Sequence, residues 1–254
     1  MEAFVTSEIK NNIAEITFGT QKSNSLPGEI LEKLAQTILD EGEKPEVRAI
    51  LLKSEGDKAF CAGASFDELL EIEELETSKK FFGGFAKVLK AMRTCGKIVV
   101  VRVQGKTTGG GVGIACGADY CFATKDSALA LTEINLGIGP FVIGPYVERK
   151  IGKSQFTAMA IDADFRSADW AETHNIYHSV SENISEMDSK LSEFLHNLST
   201  RSEDALTLIK KVSWEGTEHF NELMPERIHM SASLILEDSA KQNIEKIKER
   251  LRAK

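Results

Sequence analysis

Two short segments rich in glycine and alanine could present backbone N–H groups for chemistry. The first, at residues 59–66, reads AFCAGASF, and the second, at residues 109–113, reads GGGVG. Each follows an apolar stretch typical of a buried strand, and each precedes a predicted helix. The first N–H groups of a helix have no partner within the helix and favour negative charge. If the two turns converge, they can form an oxyanion hole.

Glycine and alanine also have a purely structural use, because small side chains allow tight turns and close helix packing. For either segment alone, this structural interpretation is the better one. Two such segments at equivalent positions between a strand and a helix favour a shared binding role. A third segment, GKT at residues 105–107, lacks the earlier glycine of a phosphate-binding loop, since Val100 occupies that position.

The composition excludes several classes of function. The chain has 254 residues, of which 42% are hydrophobic, and a formal net charge of −8. An acidic chain lacks the basic surface that non-specific binding to nucleic acid or anionic membrane requires. The four cysteines form no CxxC pair, so we expect buried free thiols and no metal site. No signal peptide or membrane span is recognisable, which predicts a cytoplasmic protein.

The elements that must position the two segments follow an α/β pattern. A hairpin is predicted first, and a helix begins at Pro27. Buried strands and one long helical stretch follow. The predicted ranges are a hairpin over 4–18, strands over 48–53, 97–103, 120–123 and 128–131, and helical structure over 66–94.

The last ninety residues change character and read as successive helices. Their predicted ranges are 154–163, 167–174, 185–198 and 203–214, with one long helix near the end. The final segment is strongly charged with a thin apolar stripe, so it either docks on a neighbour or stays solvated. We therefore predict an α/β core at residues 1–190 and a helical C-terminal region at residues 191–254.

Taken together, the motifs resemble the crotonase superfamily, which includes enoyl-CoA hydratases and isomerases. The resemblance covers almost the whole chain. The matching segments are KAFCAGASFDEL (58–69), VQGKTTGGGVGIACGADYCFAT (103–124), LALTEINLGIGP (129–140), the stretch at residues 151–180 and the helical tail. It implies a crotonase-like spiral of ββα turns in the core. It also implies that the C-terminal region is a trimerisation region, in a homo-trimer or a hexamer.

The resemblance also implies roles for individual residues. By position in the family's motifs, the backbone N–H groups of Ala64 and Gly110 hold the carbonyl oxygen of an acyl thioester. Glu133 matches a catalytic glutamate of the family. Removing a proton from C2, or adding water to the conjugated double bond, puts negative charge on that oxygen, and the two donors stabilise it.

The same resemblance places the CoA part of the substrate. The backbone around Ala62, Ser65 and Phe66 matches the part that holds the adenine and pantetheine groups. The loop with Lys22 matches a region that meets the CoA phosphates. The acyl-CoA is the substrate itself, and we expect no separate cofactor.

One departure from the family pattern bears on the reaction. Hydratases of this family typically use two glutamates, and Gly113 stands at the position of the first. Glu133 would then be the only family acid or base in the pocket. A mechanism with two carboxylates cannot run unaltered.

A second departure lies in the segment that follows Glu133. The pattern at residues 140–147, together with Val-Gly after the triple glycine, resembles bacterial methylglutaconyl-CoA hydratases. Polyketide-pathway dehydratases that act on carrier-protein thioesters look similar here. We expect Pro140, Phe141 and Val142, with Gly113, to shape the acyl pocket.

Several functions stay open from the sequence. The leading hypothesis is hydration or dehydration of a short or branched enoyl thioester with one glutamate. An enoyl-CoA isomerase is the second, because one base can move a proton between C2 and C4 without water. A polyketide-pathway dehydratase or decarboxylase on a carrier-protein thioester is the third. A non-catalytic family member kept for binding is the fourth.

Overall fold

The structure is a computed structural model that describes residues 2–252, without the side chains of residues 250–252. Met1 and residues 253–254, the end of the predicted C-terminal region, lie outside the described residues. The strands are β1 (Phe4–Lys10), β2 (Ile13–Gly19), β3 (Ala49–Ser54), β4 (Ala59–Cys61), β5 (Ile98–Val103), β6 (Lys106–Thr108), β7 (Tyr120–Thr124), β8 (Ala128–Ala130), β9 (Arg166–Ser167) and β10 (Ser179–Ser181).

Ten α-helices and one 3-10 helix lie within the described residues. The 3-10 helix spans Glu133–Leu136. The α-helices are α1 (Gly28–Glu43), α2 (Phe66–Leu70), α3 (Leu75–Thr94), α4 (Gly110–Gly117), α5 (Gly144–Asp162), α6 (Ala168–Thr173), α7 (Ile184–Ser199), α8 (Glu203–Ser213), α9 (Phe220–Leu234) and α10 (Asp238–Arg252).

The strands form two sheets. The six-stranded sheet has the order β1-β2-β3-β5-β7-β10, and the four-stranded sheet has the order β4-β6-β8-β9. Strands β1 and β2 form the antiparallel hairpin, while β2, β3, β5, β7 and β10 run parallel. Each of β3, β5 and β7 is followed by a short strand of the smaller sheet and then by helical structure. This repeated unit is the predicted ββα spiral.

The larger sheet is covered on both faces because its parallel strands alternate apolar side chains between two clusters. Ile50 and Leu52 of β3 point into the main core, which α1 and α3 cover. Ala49 and Leu51 point into a second cluster with side chains of α7 and α8. Since α7 packs on this sheet, the predicted boundary between residues 190 and 191 falls inside a helix of the core.

Three predicted helices differ from the structure. The stretch at 66–94 is two helices, with a break at residues 71–74, where glutamates at the end of α2 oppose the helix dipole. The helix expected at 154–163 begins ten residues earlier, at Gly144, because a proline lies in its first turn, and it is interrupted at Gly152. The single long helix near the end is two helices, α9 and α10.

The C-terminal helices pack on the core of their own chain. Helix α9 lies against α3, and α10 lies against the 3-10 helix. Ser78 of α3 donates a buried hydrogen bond to the carbonyl of Ala232 in α9 at 3.0 Å. Assembly into a trimer or hexamer stays a prediction. None of the helices within residues 2–252 combines the length and the apolar character needed to cross a membrane.

Candidate active site

Three chemically important segments follow three neighbouring parallel strands. Strand β4 pairs with β6, and β6 pairs with β8, all in parallel. Ala64, Gly110 and Glu133 each lie two or three residues beyond the end of one of these strands. Because parallel strands end at the same edge of a sheet, the topology itself brings these residues together. This is the convergence that an oxyanion hole formed by the two glycine-rich segments requires.

The loop after β4 is held so that the N–H of Ala64 faces away from the chain it pairs with. Leu26 donates its N–H to the carbonyl of Gly63 at 2.8 Å and accepts from the N–H of Ser65 at 3.0 Å. These two hydrogen bonds form a parallel bridge between Leu26 and Ala64, and they use the carbonyl before Ala64 and the N–H after it. The N–H of Ala64 therefore points to the opposite side, and it meets no acceptor within the described part of the chain.

The second donor lies at the start of α4. Gly109 has φ +53° and ψ −121°, a backbone conformation that glycine adopts readily. The N–H groups of Gly110 and Gly111 precede the first helical hydrogen bond, so they point outward from the helix start. A Cβ built on Gly63 would lie 3.6 Å from the nitrogen of Gly110. The two segments thus converge as an oxyanion hole requires.

An aromatic ring from α3 covers the second donor. A Cβ built on Gly110 would lie 2.3 Å from the Phe85 ring, which is buried. The ring excludes bulk water from one side of the donor, and a hydrogen bond made there is stronger in the drier surroundings. Phe85 is absent from the predicted site residues, since an apolar residue on a helix face carries no local sign of contact with a remote glycine.

The carboxyl group of Glu133 faces the same place. Glu133 is the first residue of the 3-10 helix, and its Oε1 lies 3.3 Å from the position of a Cβ on Gly109. Its Oε2 is buried without a hydrogen-bond partner within the described residues. Burial, only partly offset by backbone hydrogen bonds, raises the pKa of Glu133 to about 7. At neutral pH this carboxyl can therefore either take up or release a proton.

These groups line one cavity of about 630 Å³. Its walls are mainly apolar, with three phenylalanines contributed by α3. Nine of the predicted site residues line it: Ala62, Ala64, Ser65, Phe66, Gly110, Glu133, Pro140, Phe141 and Val142. Two converging N–H groups and one titratable carboxyl in an apolar cavity suit proton transfer next to a carbonyl group.

Comparison with protein-family models matches residues 8–254 to the family described as enoyl-CoA hydratase/isomerase. The chain belongs to the enoyl-CoA hydratase/isomerase family. The resemblance to the crotonase superfamily is thereby confirmed. Membership is independent of the cavity, because it comes from the sequence over nearly its full length.

Individual relatives agree with the family. The short-chain-enoyl-CoA hydratase of Clostridium acetobutylicum is 31% identical over 168 residues, which are 63% of this chain and 64% of the hydratase. The mitochondrial 3-hydroxyisobutyryl-CoA hydrolase of Gallus gallus is 29% identical over 125 residues, 48% of this chain and 32% of the hydrolase. The chain thus spans less than two thirds of the length of these curated relatives.

Solved structures agree with the fold. The crystal structure of enoyl-CoA hydratase from Bacillus halodurans superposes with a TM-score of 0.89 at 20% identity. It covers 95% of this chain and 98% of the hydratase chain. The prediction of a crotonase-like ββα fold is confirmed. The closer likeness to methylglutaconyl-CoA hydratases stays a prediction.

Gly113 does not line the cavity, and this corrects its predicted place in the substrate pocket. A Cβ on Gly113 would lie 2.6 Å from Cγ2 of Ile143 and 3.4 Å from Cδ1 of Leu89. The space beside Gly113 is therefore filled by aliphatic side chains. Ile143 lines the cavity in its place. A side chain at position 113 would require Ile143 to move.

Lys22 also lies outside the cavity lining. Its ammonium group forms an exposed ion pair with Asp67, in the first turn of α2. This pair stands next to Phe66, which lines the cavity. A role for Lys22 toward the CoA phosphates stays a prediction. Ser65 lines the cavity and also caps α2, since its Oγ accepts the N–H of Glu68 at 3.4 Å.

The family resemblance did not identify the contribution of α10. Asn243, Lys246 and Ile247 of this helix line the cavity. The helix is held by its thin apolar stripe, in which Ala240 and Ile244 are buried. The apolar stripe is the one sequence feature that indicates this contact, and it does not indicate which surface α10 covers. In the structure it covers the cavity of its own chain.

The raised pKa of Glu133 predicts a pH-dependent free energy of unfolding. Folding raises the pKa of this carboxyl from 4.5 to about 7, so the folded state is destabilised whenever the carboxyl of the unfolded chain would be ionised. Stability is complete below pH 4.5 and falls as the pH rises toward 7. Between pH 4 and pH 6, the wild type should lose about 2 kcal/mol relative to Glu133→Gln. Urea unfolding of both proteins at the two pH values measures this difference. If the free energy of unfolding changed equally with pH in both proteins, the burial of the Glu133 charge would be contradicted.

Proposed function

We propose that this chain hydrates or dehydrates a short or branched enoyl-CoA thioester through an enolate, with Glu133 as the only acid–base carboxylate. The placement of Glu133 carries the proposal. Its carboxyl faces the start of α4 across Gly109, one oxygen is unpaired, and its pKa of about 7 makes both protonation states accessible. The Clostridium relative, named as a short-chain-enoyl-CoA hydratase, supports the substrate class.

The proposed reaction balances with one carboxylate. Ionised Glu133 takes a proton from a water molecule as the water oxygen bonds to C3 of the substrate. The electron pair of the C2=C3 bond moves toward the thioester oxygen, which the N–H groups of Ala64 and Gly110 hold. Protonated Glu133 then gives its proton to C2. The net change is the addition of water, and the reverse sequence is dehydration.

The apolar walls assist this chemistry. Phe81, Phe82 and Phe85 line the cavity together with Ile138 and Ile143. With little bulk water near the enolate oxygen, the two N–H donors interact with it more strongly than they would in water. Losing one such donor typically costs about 3 kcal/mol in the transition state.

A double-bond isomerase is the second candidate, and the packing of Gly113 favours it. With Ile143 and Leu89 filling the space beside Gly113, that position offers no second carboxylate to activate water. Isomerisation needs only one base. Ionised Glu133 would remove a proton from C2 of a 3-enoyl thioester and return it to C4 of the resulting dienolate. Both candidates share the oxyanion hole.

Product analysis in ¹⁸O-labelled water separates the two. The purified protein is incubated with crotonyl-CoA, with a 3-enoyl-CoA and with methylglutaconyl-CoA, and the products are analysed by mass spectrometry. Hydration incorporates labelled oxygen at C3, and we expect this with a short 2-enoyl-CoA. A product with a shifted double bond and no incorporated oxygen would show that the reaction is isomerisation and not hydration. No conversion of any substrate would refute both.

A further inference from the structure

The loop between the 3-10 helix and α5 turns tightly and carries the aromatic ring of Phe141. Phe141 donates its N–H to the carbonyl of Gly139 at 2.8 Å, and Gly144 donates to the carbonyl of Pro140 at 2.8 Å. The Phe141 ring turns back over Gly139. A Cβ on Gly139 would come within 2.5 Å of Cζ of Phe141, so the ring position depends on glycine there.

Phe141 lines two hollows. One is the active-site cavity, and the other is a groove of about 700 Å³ on the other side of the loop. Phe141 is the single described residue that lines both. The groove is lined by the apolar side chains of Pro145, Phe156, Phe220 and Leu223 and also by charged side chains, among them Glu148, Arg149, Lys153 and Arg227.

The acyl end of a bound thioester would point toward this ring. The thioester oxygen is placed by Ala64 and Gly110. The cavity wall past Glu133 is formed by Val142 and Ile143, the residues that directly follow Phe141. A chain that fills the cavity along this wall meets the loop that carries Phe141. Beyond the loop, the apolar side chains of the groove could bury further methylene groups.

We propose that Phe141 sets the upper length of the acyl group by acting as a partition between the cavity and the groove. This inference rests on the proposed binding of an acyl-CoA in the cavity. Moving or removing the ring should join the two hollows. Acyl groups that are too long for the wild type would then extend into the groove.

The test is the binding of saturated acyl-CoAs by calorimetry, which needs no turnover. The series runs from butyryl-CoA to dodecanoyl-CoA, with wild type, Phe141→Ala and Phe82→Ala. Phe82 lines the cavity but not the groove, so its truncation enlarges the cavity without joining the two. Each newly buried methylene group strengthens binding about fourfold. We expect Phe141→Ala to raise the affinity for decanoyl-CoA relative to butyryl-CoA by ~10-fold or more.

A second variant moves the ring without removing it. In Gly139→Ala, the new Cβ would strike Cζ of Phe141 and force the ring away. The relative affinity for decanoyl-CoA should rise in the same direction as in Phe141→Ala. This variant keeps the test valid if Phe141→Ala does not fold.

The outcomes are distinct. A folded Phe141→Ala or Gly139→Ala protein with the wild-type length preference would overturn the partition. An equal rise in Phe82→Ala would also overturn it, since cavity size alone would then set the length. Failure of every acyl-CoA to bind the wild type would instead refute the proposed function. If acyl-CoAs bind but the product assay shows no turnover, the proposed reaction fails while the length series still decides the partition.

Discussion

Glu133→Gln should lower kcat on an enoyl-CoA substrate by ~10²–10⁴-fold while leaving the fold and acyl-CoA binding intact. Glutamine has nearly the same shape as glutamate but neither takes up nor releases a proton. Steady-state kinetics measure kcat, and calorimetry with a saturated acyl-CoA measures binding. Since water activation needs the ionised form, wild-type kcat/KM for hydration should rise with pH through about 7, the raised pKa of Glu133. This titration should be absent from the residual activity of the variant.

Glu68→Gln is the matched control. Glu68 is a nearby glutamate whose Oε2 accepts the N–H of Gly28 at 2.8 Å, and it does not line the cavity. Its replacement removes one negative charge without changing the proposed acid–base group. We expect near wild-type turnover. If Glu133→Gln retains full activity, or if both variants lose it equally, Glu133 is not the catalytic carboxylate.

The sequence predicts only part of the convergence of the site. The predicted strand over 128–131 ends just before Glu133, but β4 and β6, which end next to Ala64 and Gly110, are absent from the predicted strands. They are three residues each, and β6 is polar, so no apolar pattern marks them. The groups that Ala64 and Gly110 contribute to the proposed reaction are backbone N–H groups. Their positions depend on the turn and on the helix start, and both can be predicted from local sequence.

The side chains around the two N–H groups could not be predicted in the same way. The sequence shows that Gly113 lacks a side chain, but it does not show that Ile143 occupies the space beside it. Likewise, the pattern of α3 places Phe85 on a buried helix face without naming Gly110 as its contact. Both contacts join residues far apart in the chain, and they depend on how helices pack. No local signal specifies them.

The C-terminal helix illustrates the limit of periodicity. An apolar stripe predicts that α10 buries one face, but a neighbouring subunit and the same chain are equally suitable surfaces. Gly137 approaches Ala240 so closely that a Cβ built on Gly137 would lie 3.2 Å from the Cα of Ala240, which selects the same chain. This contact places Asn243 and Lys246 at the cavity. The path of the helices that precede α10 determines which surface α10 covers.

Gly110→Pro should lower kcat by ~10²–10³-fold relative to Gly110→Ala. Proline lacks an N–H but suits the first position of a helix, so it removes one oxyanion donor while preserving the helix start. Both new side chains carry a Cβ that would lie 2.3 Å from the Phe85 ring, and proline in addition places its Cδ where the N–H hydrogen was. Only the proline variant loses the donor. The kcat ratio of the two variants therefore measures the loss of the N–H group together with the effect of the Cδ that replaces it.

The same pair in a Phe85→Ala background removes the ring that both side chains would strike. The ratio of the two kcat values should persist there, because the lost hydrogen bond does not depend on packing against the ring. Binding of a saturated acyl-CoA should differ far less between the two than kcat, since the donor acts mainly on charge that develops in the transition state. Equal kcat for Gly110→Pro and Gly110→Ala in both backgrounds would show that this N–H holds no negative charge during the reaction.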